Sequence, residues 1–100
     1  MQVLYIEPCG SIKEPMIIDI NPTLPTIERL LGGPCKMARD SFRPYALIFT
    51  TSGPRCRYWH GRWFCGKLLL IGWRNNQPVR LSPSLMRDLQ EQWKDVEVQT

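Results

Sequence analysis

Hydrophobic and polar residues alternate at the start of the chain, where Leu4 and Ile6 fall on one side of the segment from Gln2 to Glu7. A period of two is typical of a β-strand, because successive side chains of a strand point to opposite faces. A second short apolar segment, Met16 to Ile20, follows the turn-forming residues PCGSIKE. The two segments therefore predict an antiparallel pair of strands.

Two later segments carry the signals of short helices. In the first, Thr23 suits the cap, Pro25 the first turn, and Gly32-Gly33 the end. The second follows Ser82, has Pro83 at its first position and extends to about Lys94. Apolar residues three or four apart predict the buried faces, which are Leu24, Ile27 and Leu31 in the first helix and Leu85, Leu89 and Trp93 in the second.

Two apolar segments in the centre of the chain predict buried strands. Tyr45 to Thr51 is apolar on both sides and is followed by the turn-forming residues Ser52-Gly53-Pro54. Lys67 to Trp73 has the same character. Shorter strands are predicted at CKMA (35–38) and PVRL (78–81), with DSFRP (40–44) as a loop and RNNQ (74–77) as a turn.

The order of these elements predicts one α+β domain over residues 1–100. Two short helices, one after the first hairpin and one C-terminal, would pack against a mostly antiparallel sheet. We expect residues 94–100 to fray as a tail. The composition agrees with a folded globule, since 43% of the residues are hydrophobic and 22% are charged.

No apolar run approaches the roughly 20 residues that a membrane span needs. The first residues also lack the basic segment of a secretory signal peptide. We therefore expect a cytoplasmic protein without a membrane partner. In that compartment the four cysteines, Cys9, Cys35, Cys56 and Cys65, would stay reduced.

Positive charge is concentrated in the middle of the chain. The segment from Lys36 to Arg80 holds nine basic residues and one acid, Asp40, which is a net charge of +8 within a chain of net charge +4. Such a segment favours an anionic partner, whether nucleic acid, nucleotide or an acidic protein surface.

The most unusual stretch, RCRYWHGRWFC (55–65), predicts a hairpin with His60-Gly61 as its two-residue turn. Side chains of Cys56, Tyr58, Trp63 and Cys65 would then share one face, which is a plausible core face. The other face would be a cationic surface with aromatic rings set into it, formed by Arg55, Arg57, Trp59, Arg62 and Phe64. In this register Cys56 lies opposite Cys65. A second register, in which 55–59 pairs back onto 45–51, is an open alternative.

Metal binding is a second interpretation of this stretch. Cys56, His60 and Cys65 could supply three ligands, with Cys35 or Cys9 as the fourth, but the usual C-x2-C spacing is missing. We therefore expect no metal and no cofactor. Catalysis is disfavoured too, because there is a single histidine and no nucleophile elbow or phosphate loop. The chain is predicted not to be an enzyme.

The residue types favour a binding surface. Arginine outnumbers lysine nine to four, and its planar guanidinium binds phosphate or carboxylate through two hydrogen bonds and stacks on aromatic rings. Our candidate binding residues are Arg55, Arg57, Trp59, Arg62, Phe64, Lys67 and Arg74. The competing interpretation is that Trp59 and Phe64 cover the edge of the core and that the arginines are merely solvated.

The order of the framework segments is MQVLYIEP, IIDI, LPTIERLLGG, YALIFTTSG, GKLLLIG and VRLSPSLMRDLQEQW. In this order the chain resembles a small family of phage and plasmid proteins known only as a domain of unknown function. The resemblance covers nearly the whole chain, but the segment PRCRYWHGRWFC departs from it. It implies an accessory protein of a mobile element, present in the cytoplasm of a host bacterium and acting without a cofactor.

Three functions follow as hypotheses. The first is a non-enzymatic inhibitor of host antiviral defence, similar to an anti-CRISPR protein, that binds a defence protein or nucleoprotein with an acidic surface. The second is a protein that binds nucleic acid or nucleotide directly. The third is a structural phage component joined through an edge of its sheet.

Overall fold

The structure, a computed structural model, describes residues 1–7, 14–39 and 44–98, and all of their side chains except those of residues 51, 52, 54–56, 97 and 98. The described elements are β1 (Gln2–Ile6), β2 (Met16–Asp19), α1 (Leu24–Leu31), β3 (Cys35–Ala38), β4 (Tyr45–Trp59), β5 (Arg62–Arg74), β6 (Gln77–Val79), α2 (Pro83–Trp93) and β7 (Glu97–Val98). They form a single domain with a mostly antiparallel sheet and two helices, so the predicted fold class is confirmed.

The seven described strands form one sheet. Five of them lie side by side in the order β2-β1-β5-β4-β3, and β6 and β7 extend the sheet outside this order. The two long strands β4 and β5 form its centre. The short strand β6 pairs with the last residues of β5, on the same side as β1, and β7 pairs with the last residues of β4. All of these pairs are antiparallel.

The sheet is covered on both faces, which explains why its central strands are apolar on both sides. On one face, side chains such as Leu4, Leu47 and Leu70 pack with Leu89 and Trp93 of α2. On the opposite face, residues one position along the same strands pack with Ile27 and Leu31 of α1. We call these the α2 face and the α1 face. No helix of the described residues is long and apolar enough to cross a membrane.

The helix signals are confirmed at most positions. The Ser82 hydroxyl accepts a hydrogen bond from the Leu85 N–H at 3.2 Å and caps α2. Gly32 ends α1 in the left-handed conformation, with φ of 90°. Thr23 takes the cap position of α1, but its side chain makes no capping hydrogen bond. Leu24 was expected on the buried face and is instead 61% exposed, so the buried residues of α1 are Ile27 and Leu31.

Two expectations about the course of the chain are wrong. The Ser52-Gly53-Pro54 segment does not close a strand, because β4 continues through it to Trp59 with shifts of register against β5. The predicted frayed tail is ordered as far as Val98, since Val96 is buried and β7 pairs with β4 at Arg57 and Tyr58. The predicted loop at 40–43, the link at 8–13 and the last two residues lie outside the described part of the chain.

Candidate functional site

The hairpin turn is placed as the sequence predicts. Trp59 pairs with Arg62, Tyr58 with Trp63 and Arg57 with Phe64. His60 and Gly61 both have positive φ, 50° and 79°, as the favoured two-residue hairpin turns require. The alternative register, in which 55–59 folds back onto 45–51, is wrong, because both segments belong to the single strand β4.

The register changes next to the cysteines. Cys65 pairs with Arg55 and not with Cys56, because β4 has an irregularity between Arg55 and Arg57. An extra residue on one strand of a pair is the mark of a β-bulge. The predicted opposition of Cys56 and Cys65 is therefore wrong. The side chains of Arg55 and Cys56 lie outside those that the structure describes.

The two faces of the hairpin are inverted relative to the prediction. Arg57 and Phe64 were expected in solvent but are 0% and 1% exposed, on the α2 face. Trp59 is half-buried, with its ring centroid 4.5 Å from that of Trp93 at the end of α2. The residues assigned to the core are the more open ones, since Tyr58 is 38% exposed. The reason is tertiary, because α2 and the chain after it cover the face that sequence alone left open.

Arg57 has a structural position. Its Nη2 donates a hydrogen bond of 3.1 Å to the carbonyl oxygen of Glu7, just beyond the end of β1. Burial lowers the pKa of the Arg57 guanidinium from its ordinary value, although an arginine keeps its charge at any pH at which proteins stay folded. A buried cation is costly unless polar groups surround it. Arg57 therefore ties β4 to β1 and is not available to an external partner.

Arg62 is the exposed member of the predicted set among the hairpin side chains that the structure describes. Its guanidinium carbon lies 4.9 Å from the ring centroid of Phe49 and 5.1 Å from that of Phe64. Both distances are within the range of a cation–π interaction. Phe64 was predicted to contact a partner, but Arg62 covers the face of its ring. The competing interpretation, in which the aromatic residues cover the edge of the core, therefore fits these residues better.

The remaining predicted residues lie elsewhere on β5. Lys67 is half-buried, on the α1 face. Arg74 is exposed and ends β5, at the opposite end of this 13-residue strand from Arg62. Of the described members of the predicted set, Arg57 and Phe64 are buried, whereas Arg62 and Arg74 are exposed at the two ends of β5.

A different group of residues forms a cleft around Arg74. The cleft has a volume of about 510 Å³ and is lined by Arg39, Pro44, Tyr45, Trp73, Arg74, Asn75 and Asn76. It lies where β3 ends, β4 begins and β5 turns into β6, so three separate chain segments meet there. A volume of this size falls within the range that holds small organic ligands.

Local backbone geometry builds one wall of the cleft. Asn75 and Asn76 form the two-residue turn between β5 and β6, with φ of 54° and 61°. Asparagine tolerates the left-handed conformation better than most residues. The Arg39 guanidinium donates a hydrogen bond to Oδ1 of Asn76. This bond holds the Arg39 guanidinium against the Asn75-Asn76 turn, which directly follows Arg74.

The lining is cationic and aromatic. Arg39 and Arg74 are both exposed, and none of the described lining residues, which exclude 40–43, is acidic. The indole nitrogen of Trp73 is buried and finds no hydrogen-bond partner among the described residues. Tyr45 also borders the cleft, although its ring packs in the core on the α2 face, and burial raises the pKa of its hydroxyl. The cleft can therefore receive a planar anion that accepts hydrogen bonds.

Sequence reasoning named Arg74 but missed Arg39, Trp73 and the two asparagines. Asn75 and Asn76 were interpreted only as part of a turn. Their proximity to Arg39 depends on β3 and β5 both flanking β4, which no local pattern indicates.

The cysteines give no metal centre within the described part of the chain, where no group of three His, Cys, Asp or Glu residues could hold an ion. The predicted ligand set cannot be compared as a whole, because Cys9 and the Cys56 side chain are not described. Cys35 and Cys65 are free thiols. The Cys35 thiol contacts the Gly33 carbonyl oxygen at 3.3 Å, and burial raises its pKa.

Comparison with known proteins adds no relative. No protein-family model, curated protein or solved structure matches this chain.

Proposed function

We propose that this protein binds a phosphate-bearing nucleotide unit, either a free nucleotide or part of a single-stranded nucleic acid, in the cleft between Arg39 and Arg74. The observation that carries the proposal is the meeting of two exposed guanidinium groups with two aromatic residues around one concave space. Binding alone would be the activity, without a cofactor.

The chemistry of the lining matches the parts of a nucleotide. A guanidinium group binds a phosphate through two parallel hydrogen bonds. An aromatic side chain offers a face on which a base can stack, worth roughly 1–3 kcal/mol per base.

The shape of the site favours a nucleotide over an acidic protein surface. A protein partner normally contacts a broad area of roughly 800 Å² on each side. Of the predicted binding residues, Arg62 and Arg74 are exposed at opposite ends of the strand β5, and the cleft beside Arg74 is concave. Inhibition of a host defence nucleoprotein, the role that the family resemblance implies, would be one biological use of such binding and stays a prediction.

Fluorescence anisotropy with a labelled oligothymidylate, together with calorimetry using mononucleotides, tests the proposal. Arg74→Glu and Arg39→Glu should each weaken binding by roughly tenfold or more, since a tenfold change corresponds to only 1.4 kcal/mol. Each lost phosphate contact should also lower the slope of log affinity against log salt by about 0.7 for a single strand.

Arg87→Glu is the matched control, because Arg87 is an exposed arginine on α2, outside the cleft lining. It makes the same change of charge and should leave affinity within about twofold, the effect of a distant charge under screening. Equal losses in Arg87→Glu and Arg74→Glu would show attraction by net charge only. Absence of binding to every oligonucleotide and mononucleotide would refute the proposal. Binding of mononucleotides as tightly as oligonucleotides would identify the free nucleotide as the ligand.

A further inference from the structure

The strand β2 forms an open edge of the sheet that is unusually apolar. Among the described residues, the large hydrophobic side chains that are exposed are Met16 at 40%, Ile17 at 46%, Leu24 at 61% and Tyr58 at 38%. Three of these four lie within residues 16–24, on β2 and at the start of α1. Met16 and Ile17 lie on opposite faces of the sheet, so exposed apolar side chains border the edge of β2 on both sides. Large exposed apolar patches are uncommon on monomeric proteins and mark interaction sites.

Hydrogen-bond parity identifies which backbone groups of β2 are open. Met1 and Ile20 exchange two backbone hydrogen bonds, at 2.9 and 3.0 Å, so they form a hydrogen-bonded pair of the ladder. Such pairs recur at every second residue of an antiparallel ladder. Met16 and Ile18 therefore direct their backbone groups toward β1. Ile17 and Asp19 direct theirs outward, away from the sheet.

The edge lacks the protection that other outer strands have. The described β3 carries the exposed residue Lys36 in its middle, and β7 has only two residues. Charged side chains and short lengths are the usual means by which edge strands avoid pairing with another chain. In β2 the residues from Met16 to Ile18 are all apolar, and the single charge, Asp19, stands at the end.

We infer that β2 pairs with β2 of a second copy of this chain, antiparallel and around a two-fold axis at Ile18. In this register Ile17 lies opposite Asp19 of the partner copy, so their outward N–H and C=O groups form four reciprocal hydrogen bonds. Met16 lies opposite Ile20, and Ile18 opposite Ile18, which makes one apolar row on the α1 face. Like residues meeting across a two-fold axis give a closed dimer.

The charges agree with a second copy. No carboxylate faces another in this register, because Asp19 meets Ile17 and Glu14 meets Pro22. Asp19 is also in contact with the Met1 amine at 2.7 Å, which offsets its charge. Arg39 follows β3 at the other edge of the sheet, and Arg62 and Arg74 stand at the two ends of β5, so none of these three charges lies on β2.

Sedimentation velocity of the full chain, from roughly 1 to 500 µM, tests the inference, because a short edge contact should associate in the micromolar range. We expect a reversible dimer. Ile17→Pro removes only an outward N–H and leaves the ladder to β1 complete. It should raise the dissociation constant at least about tenfold, with an unchanged circular dichroism spectrum.

Two further variants keep the outcome decisive if the proline weakens the fold. Ile17→Thr keeps a strand-forming residue and removes apolar surface, so it should also weaken the dimer. Tyr58→Thr makes a comparable change at an exposed hydrophobic residue on β4, a strand that does not pair with β2, and should not weaken it. Ile18→Cys should give a disulfide between two copies on oxidation, because directly opposite residues of this pair type are about 4.5 Å apart at Cα.

The native chain is oxidised in parallel to show any disulfide that its own cysteines form. Peptide mapping of the oxidised variant then identifies the linked residue. A monomer at every concentration would overturn the inference and leave the edge to a strand of another protein. A dimer that Ile17→Pro and Ile17→Thr leave unchanged, without an Ile18→Cys link, would place the contact elsewhere and overturn it equally.

Discussion

The two ends of β5 carry the same chemistry in different arrangements. At the hairpin end, the Arg62 guanidinium already lies against the rings of Phe49 and Phe64. At the other end, Arg74 lines an open cleft together with Arg39 and Trp73. An exposed arginine beside aromatic residues is therefore not by itself evidence of a binding site. What matters is whether the aromatic face is already covered by the protein's own cation.

Burial separates the two ends further. The aromatic residues at the hairpin end belong to the core on the α2 face, where Trp59 lies beside Trp93 and stacks on Tyr45 with centroids 6.2 Å apart. Substitutions there should change stability. Substitutions of the cleft arginines should change affinity and leave stability almost unaltered, because exposed residues rarely contribute more than about 0.5 kcal/mol.

Removal of the ring that covers the hairpin should give the largest effect. Trp93 is fully buried and contacts Trp59, so Trp93→Ala should lower the free energy of unfolding by about 3–5 kcal/mol through loss of burial and a residual cavity. Urea unfolding followed by circular dichroism measures this loss. A loss below about 1 kcal/mol, typical of a surface site, would mean that α2 does not cover the hairpin.

A pair of identical charge changes should distinguish the buried arginine from the exposed one. Arg57→Glu places a carboxylate where Nη2 now donates to the Glu7 carbonyl oxygen, and disruption of a buried charged contact costs about 3 kcal/mol or more. Arg62→Glu, at an exposed position, should cost far less. Denaturant midpoints of the two variants test this difference. Similar stability of both variants would indicate that the Arg57 side chain is exposed.

The cation–π contact of Arg62 should have a small but measurable effect. Arg62→Ala removes it and should cost roughly 0.5–1 kcal/mol in unfolding free energy, whereas Arg74→Ala should cost almost nothing. In the binding assay the order should be reversed, with Arg74→Ala weakening oligonucleotide affinity more than Arg62→Ala does. Equal effects on affinity would show that the hairpin end also contacts the ligand.

The smallest expected effect is a pH dependence from Tyr45, which borders both regions. Burial raises the pKa of Tyr45 above its ordinary value of 10.0, so the folded state holds the phenolic proton more tightly than the unfolded state. This contribution to stability is complete below about pH 10 and is lost as the pH rises through the folded-state pKa. The free energy of unfolding of Tyr45→Phe should therefore fall less than that of the native chain between about pH 9 and about pH 11. Equal decreases of the unfolding free energy with pH in the two chains, measured by urea unfolding, would contradict this prediction.

Much of the framework could be predicted from local pattern. Alternation located β1, the turn at His60-Gly61 followed from the glycine, and Ser82-Pro83 marked the start of α2. Each of these depends on backbone preferences of a few adjacent residues. The bulge beside Cys56 could not be predicted, because an extra residue in a strand reflects the pairing of two distant segments and leaves no fixed local pattern.

The sequence by itself determined most of the strands and both helices, the turns at His60-Gly61 and at Asn75-Asn76, and the concentration of positive charge in the centre of the chain. Only the tertiary structure decided which face of the hairpin is buried. Alternation divides the side chains into two sets, but both sets here contain aromatic rings and long amphipathic chains, so either could face the core. The choice was made by α2, whose Trp93 covers the face of Arg57 and Phe64. The cleft has the same origin, since Arg39 and Arg74 meet only because strands distant in the chain end at the same side of one sheet.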